Sequence, residues 1–191
     1  MKKRILPVIT VLALYACSGS PATNNETQKK VMSFEEFAAQ FPETQPENTF
    51  FCSDSTYSPG SLKEIVAGDS AIVQLVPDIL FQNGGYAWGS IHENDDFMML
   101  IVLLKADKLG PLFITYQKGK LLDYKVGFQN PGLDEGFHSE ECCSFDADHY
   151  LNFTDITHNW DPVDSAKTFK SDTIIKSTAP LFFGTFNDIF Q

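Results

Sequence analysis

Apolar residues follow three rhythms along this chain, and each predicts a different kind of element. Residues 5–16 are apolar without a single charge and follow a basic start, Lys2-Lys3-Arg4. This run is too short to cross a membrane as a helix, which takes about 20 residues. A helical rhythm comes next. Phe34, Phe37, Ala38 and Phe41 fall on one face. Ser33 and Glu36 have the spacing of a capping box, and Pro42 ends the run. Residues 43–60, punctuated by Pro46 and Pro59, read as a linker. The pattern predicts a second short helix over 61–67, stopped by Gly68. Between 70 and 81 it allows a helix or strand up to Val76, then a turn or a new helix begun at Pro77.

From Tyr86 onward the rhythm is that of strands. Residues 86–92 form the first, and the cluster 93–96 turns the chain. Residues 97–104 are unbroken apolar, which predicts a central strand covered on both faces. After a turn at 106–110, residues 111–116 form the next strand, and Gln117-Lys118-Gly119-Lys120 predicts a tight hairpin. Leu122, Tyr124, Val126 and Phe128 alternate as a half-buried strand does. Four strands on short turns make an antiparallel meander. Residues 129–149 have no clear period. Three further strands are predicted at 151–158, 168–177 and 181–190, separated by turns at 159–164 and 178–180. The expected fold class is α+β: short N-terminal helices, then a mostly antiparallel sheet that extends or closes into a roll or sandwich.

A basic start, a short apolar run and small residues at its end are the marks of a secretory signal peptide. The run ends in Leu14-Tyr15-Ala16-Cys17, followed by Ser18-Gly19-Ser20. This resembles the lipobox of bacterial lipoproteins. The resemblance implies a diacylglycerol on the Cys17 thiol, cleavage after Ala16 and a further acyl chain on the freed amino group. Two or more acyl chains hold a protein stably on a membrane. Residues 18–30 show no apolar period and read as a flexible tether with a root-mean-square span of roughly 20 Å. Ser18, not Asp, follows the cysteine, which by the same resemblance implies the outer membrane, facing the periplasm. The expected organisation is a signal peptide at 1–16, the lipidated cysteine and tether at 17–31, and one domain at 32–191. Over 50–128 the linker–meander order loosely resembles small envelope lipoproteins of Gram-negative bacteria, a likeness that brings no activity with it.

Cleavage sharpens the charge. It removes Lys2, Lys3 and Arg4 and no acid, so the net charge of −11 becomes −14 over the 175 residues from Cys17. Arg4 is the only arginine of the chain, and nine acids but no Lys or Arg lie between Val126 and Ala166. Arginine is the preferred planar partner of phosphate, and nucleic-acid binders carry a basic stripe. Nucleic acid is therefore an unsuitable partner.

Cys52, Cys142 and Cys143 remain after Cys17. In the oxidising space implied by export, the expectation is one disulfide from Cys52 to either Cys142 or Cys143, with one thiol over. A vicinal Cys142–Cys143 bridge is the alternative. Segment 129–149 also holds six acids and two histidines. His138, Glu141, Cys142 and His149 are the residue types that bind Zn²⁺, and Asp146 and Asp148 suit Ca²⁺, although neither spacing matches a named motif.

Other chemistry finds little support. The sequence has no Gly-x-Ser-x-Gly elbow and no papain-like cysteine signature. Gly84-Gly85 lacks the Lys-Ser/Thr ending of a phosphate loop. His92 and His158 read as ordinary residues near strand ends. Most of the 17 Phe, 6 Tyr and 2 Trp belong in a core, while Tyr86, Trp88 and Trp160 are candidates for a carbohydrate or peptide groove. The leading expectation is a non-enzymatic binding or accessory lipoprotein partnered by another envelope protein, with no cofactor beyond the lipid. The rivals are a metal-binding protein or metal-dependent enzyme using 129–149, and an immunity-type inhibitor whose acidic face blocks a basic toxin.

Overall fold

The computed structural model describes residues 30–92, 97–129, 132–161, 163 and 170–188. The signal segment, Cys17, nearly all of the tether and the turn 93–96 lie outside the described residues. In chain order the strands are β1 (Phe50–Cys52), β2 (Lys63–Ile65), β3 (Gly85–His92), β4 (Phe97–Leu104), β5 (Gly110–Gln117), β6 (Lys120–Val126), β7 (Gly132–Asp134), β8 (Phe137–Phe145), β9 (Leu151–Asn159) and β10 (Lys170–Thr178). The helices are α1 (Phe34–Ala38), α2 (Asp78–Asn83) and α3 (Pro180–Phe183), with a 3-10 turn at Pro46–Asn48. The protein is mostly antiparallel β, in two sheets, neither of them closed. The first sheet runs β2-β3-β4-β5-β6. The second runs β1-β8-β9-β10, with β7 sharing the β1 side of β8.

The apolar run of β4 explains how the layers stack. Leu100, Val102 and Leu104 point to one side, Met99, Ile101 and Leu103 to the other, and all six are buried. On the first side they meet Phe37 and Phe41, together with Ile72, Val76 and Leu80. On the second they meet Phe51, Cys143, Phe145 and Leu151 of the other sheet. A strand covered on both faces needs no polar positions, which is why its sequence does not alternate.

At the N-terminal end, Ser33 Oγ accepts from Glu36 N–H and the Glu36 carboxylate accepts from Ser33 N–H, so the capping box forms on a helix of five residues. Three expectations give way. Residues 61–67 hold the three-residue edge strand β2 rather than a helix. Leu62, Ile65 and Val66 are too few to make a helical stripe, and β3 offers an open edge with Ile65 opposite Gly85. The chain approaches so closely here that a Cβ on Gly84 would lie 2.6 Å from the Ile65 carbonyl oxygen; Gly84 also sits at φ 68°, ψ −172°, a region open to glycine alone. Residues 70–76 are turns, tied to the sheet by the buried Tyr116 hydroxyl, which donates to the Leu75 carbonyl at 2.7 Å; α2 starts just after Pro77. Finally, 181–190 does not begin as a strand. Pro180 opens α3 and Gly184, at φ 70°, closes it, the usual Pro-in, Gly-out punctuation of a short helix.

Candidate functional site

β8, β9 and β10 each run nine residues, further than the core extends. Side chains alternate along a strand, so β8 turns Ser139, Glu141, Cys143 and Phe145 inward and His138, Glu140, Cys142 and Ser144 outward. Phe137 shares the inward parity, so that row is apolar only towards its ends, Phe137 at the start and Cys143 and Phe145 at the close, with Ser139 and Glu141 between. This corrects the reading of 129–149 as a segment without a period, since it holds β7 and β8. Its period is present but carried by polar residues, because the strand runs beyond the core.

The same alternation decides the cysteines. Cys52 lies directly opposite Cys142, their Cα atoms are 4.1 Å apart, and they form a disulfide. Cys143 points to the other face, buried and free, beyond reach of either alternative pairing. Burial, with the nearby Glu141 carboxylate, pushes its thiol far above the usual cysteine range, so it stays protonated and unreactive.

The residues proposed as metal ligands are dispersed. His138 and Glu141 face opposite sides of β8. His149 lies in the turn after Phe145, ~24 Å along the strand from His138 at about 3.4 Å per residue. Cys142 is committed to its disulfide. Glu140 does bring a carboxylate to Cys52 and Cys142, but these sulfurs are bonded to each other and offer no thiolate. Asp146 organises the β8–β9 turn: its Oδ1 accepts from Asp148 N–H at 3.0 Å and Tyr150 N–H at 2.9 Å, and its Oδ2 from the Asn152 amide at 3.1 Å. Asp148 contributes its backbone N–H to this turn. His149 takes φ 62°, the left-handed residue of a three-residue hairpin loop.

Desolvation opposes the Asp146 charge. The Asn152 amide, the two backbone N–H groups and His149 outweigh it and hold the carboxyl below its ordinary range. A lowered carboxyl contributes stability in full above the unfolded value, about pH 4, and loses it as pH falls through the lower folded value. Asp146→Asn is therefore expected to flatten the acid limb of a stability–pH profile measured by urea unfolding. A profile identical to that of the parent chain would show that this carboxylate carries no such linkage.

Two groupings do form, on opposite faces of the second sheet. On the outer face, His138 and His158 sit directly across from each other, rings nearly parallel with centroids 5.9 Å apart. His138 Nε2 is 3.2 Å from Asp54 Oδ2, and His158 Nδ1 is 2.7 Å from Ser171 Oγ. Asp54, His138 and Ser139 also border an open hollow of about 660 Å³ floored by Leu104, Leu109 and Phe128.

On the inner face, where the sheets diverge, a cleft of about 180 Å³ opens between the end of β6 and β8–β10. Glu141 and Asp155 stand directly opposite each other across β8 and β9 and both line it. The Glu141 carboxylate accepts from Gln129 N–H, and Asp155 Oδ1 accepts from the Ser139 hydroxyl at 3.0 Å. The Lys125 ammonium lies 4.4 Å from the centre of the Phe153 ring, and Ile174 and Lys176 complete the wall. Directly opposed carboxylates repel, so gathering them in one cleft costs stability, and such breaches of local rules are expected at working surfaces.

Sequence reasoning named Glu141 but missed Lys125, Phe153 and Asp155. Phe153 and Asp155 were legible only as alternate positions of the strand 151–158. Of the aromatic candidates, Trp88 packs edge-on to Phe51 with centroids 4.9 Å apart, Tyr86 lies under the Lys105 ammonium, and the Trp160 backbone N–H donates to the Gly136 carbonyl. Comparison with protein-family models, with curated proteins and with solved structures finds no match to this chain, so the chemistry of the site rests on its own geometry.

Proposed function

We propose that the chain is a lipid-anchored envelope protein that works by binding rather than by catalysis, held through Cys17 at the outer membrane and facing the periplasm. The anchor rests on the lipobox-like Leu14-Tyr15-Ala16-Cys17. The Cys52–Cys142 disulfide is consistent with an exported, oxidising location. No helix among the described residues is long and apolar enough to cross a membrane.

The observation that carries the binding role is the inter-sheet cleft. Its paired carboxylates, Glu141 and Asp155, sit beside Lys125 and an aromatic floor. Two adjacent carboxylates gain from an ammonium or guanidinium brought between them, and the lysines suit a neighbouring carbonyl or carboxylate. That combination fits a peptide segment of another envelope protein. The test is capture of the tagged full-length chain from gently solubilised envelopes. One partner is expected with the parent chain, and its yield should fall about tenfold or more on charge reversal by Lys125→Glu. Recovery of no partner, or equal recovery with the variant, would count against the reading.

A metal-binding role is the second reading: Asp54, His138 and His158 on the outer face are residue types that hold Zn²⁺, but the group of potential ligand atoms that converges among the described residues is Cys52, Glu140 and Cys142, whose sulfurs are in the disulfide. Elemental analysis of the purified chain, with and without His138→Ala and His158→Ala, decides it; absence of stoichiometric metal and of a thermal shift with Zn²⁺ removes it.

A further inference from the structure

We infer that the chain pairs with a second copy of itself along the outer edge of β10. From Lys170 to Lys176 every residue of β10 is exposed. Ile174 and Ile175 are 58% and 61% exposed on opposite faces of the strand, so no rotation of the sheet would cover both. One edge of β10 is fully paired with β9. On the other, Thr178 bridges to Asp188; from 171 to 177 no strand covers it among the described residues. Such an edge is a template for another strand.

The sequence of the edge indicates which strand. An antiparallel, two-fold pairing centred on Ile174 places Asp172 opposite Lys176 of the partner copy, and Lys176 opposite its Asp172. Ile174 meets Ile174, Thr173 meets Ile175, and Ser171 meets Ser177. Opposed residues share a face in such a pair, so both charge pairs flank the central isoleucines on the cleft side. Among the described residues neither Asp172 nor Lys176 makes an ion pair. Moving the centre by half a step, between Thr173 and Ile174, sets Asp172 against Ile175 and Lys176 against Ser171 and loses both matches. Self-complementarity of this kind is the signature of an isologous interface. Seven residues a side make a small contact, in the transient class. The pairing does not require the cleft to bind anything.

Cross-linking of the full-length chain tests the register. With Ile174→Cys, oxidation is expected to give a covalent dimer on a non-reducing gel, because the two-fold axis brings the two sulfurs within bonding reach. Ser171→Cys, whose copies lie six residues apart in this register, is expected to stay at the background of the parent chain. Adding Asp172→Lys to Ile174→Cys should lower the dimer yield about tenfold by opposing like charges twice; adding Lys176→Asp as well should restore it. No dimer at 174, equal dimer at 171 and 174, or no response to the charge reversal would each overturn the inference.

Discussion

Replacing Cys52 and Cys142 together by alanine is expected to lower the stability of the fold by about 3 kcal/mol, and the midpoint of thermal unfolding by roughly 10 °C. The bridge joins positions 90 residues apart, so it removes a large loop from the unfolded ensemble. A chain-entropy estimate for a loop this long is about 4–5 kcal/mol, and measured values for native bridges lie at 2–5. The local structure adds a reason to expect a substantial loss. β1 is three residues long and, among the described residues, pairs only with β8, and it delivers Phe51 to the core, where the ring packs against Trp88, Tyr57 and Phe113. Without the bridge, β1 is held by few hydrogen bonds and this one anchor. Removing both sulfurs avoids leaving a reactive thiol, and Cys143 stays buried on the other face. Chemical unfolding of the parent and the double variant measures the difference; a loss below about 1 kcal/mol would mean that β1 is held by packing alone.

Phe113→Ala is expected to cost about 3–5 kcal/mol, the range for emptying a fully buried phenylalanine site. Phe113 is 0% exposed and lies where the two sheets touch. Its ring meets Phe51 edge-on at 6.1 Å and Phe153 edge-on at 6.0 Å. Truncation therefore loses transfer energy, leaves a cavity between layers that cannot both move inward, and removes two aromatic contacts of about 0.5–1.5 kcal/mol each. Phe153→Ala is the control. That ring is half-buried and lines the cleft, so its loss should cost much less stability while emptying the cleft floor. Equal losses for the two variants would contradict the placement of the inter-sheet core.

The meander was the most legible part of the fold, and the reason is physical. β4 is covered on both faces, so its unbroken apolar run reports burial directly; β6 is a strand as its alternation predicts, but the half-burial expected of that row gives way, since Leu122 and Tyr124 stay 42% and 45% exposed. The hairpin between β5 and β6 was equally plain, since Lys118 and Gly119 both take positive φ as a two-residue turn demands. β8 was illegible because its alternation is written in Ser, Glu and His where it leaves the core. β2 was mistaken for a helix because its three residues are recruited by the free edge of β3, a tertiary cause that no local pattern carries.

The site follows the same logic. The sequence left three cysteine pairings open; a strand through Cys142 and Cys143, with β1 in a register that sets Cys52 opposite Cys142, leaves one. Likewise His138 and Glu141, three positions apart, can share a face on a helix but not on a strand. Once β8 is a strand, the proposed ligand set divides between two surfaces. Each half then acquires partners from elsewhere in the chain: Asp54 and His158 outside, Lys125 and Asp155 inside. Those partners come from other strands and a loop, and only register places them together.

The central claim is that the chain is exported and held to a membrane by lipid on Cys17. The most direct test is the intact mass and N-terminal sequence of the full-length gene product extracted from membranes. The account predicts a polypeptide of 175 residues beginning at Cys17, heavier by a diacylglycerol and a further acyl chain, and loss of membrane association on Cys17→Ser. An unmodified chain, or an N-terminus elsewhere, would contradict it.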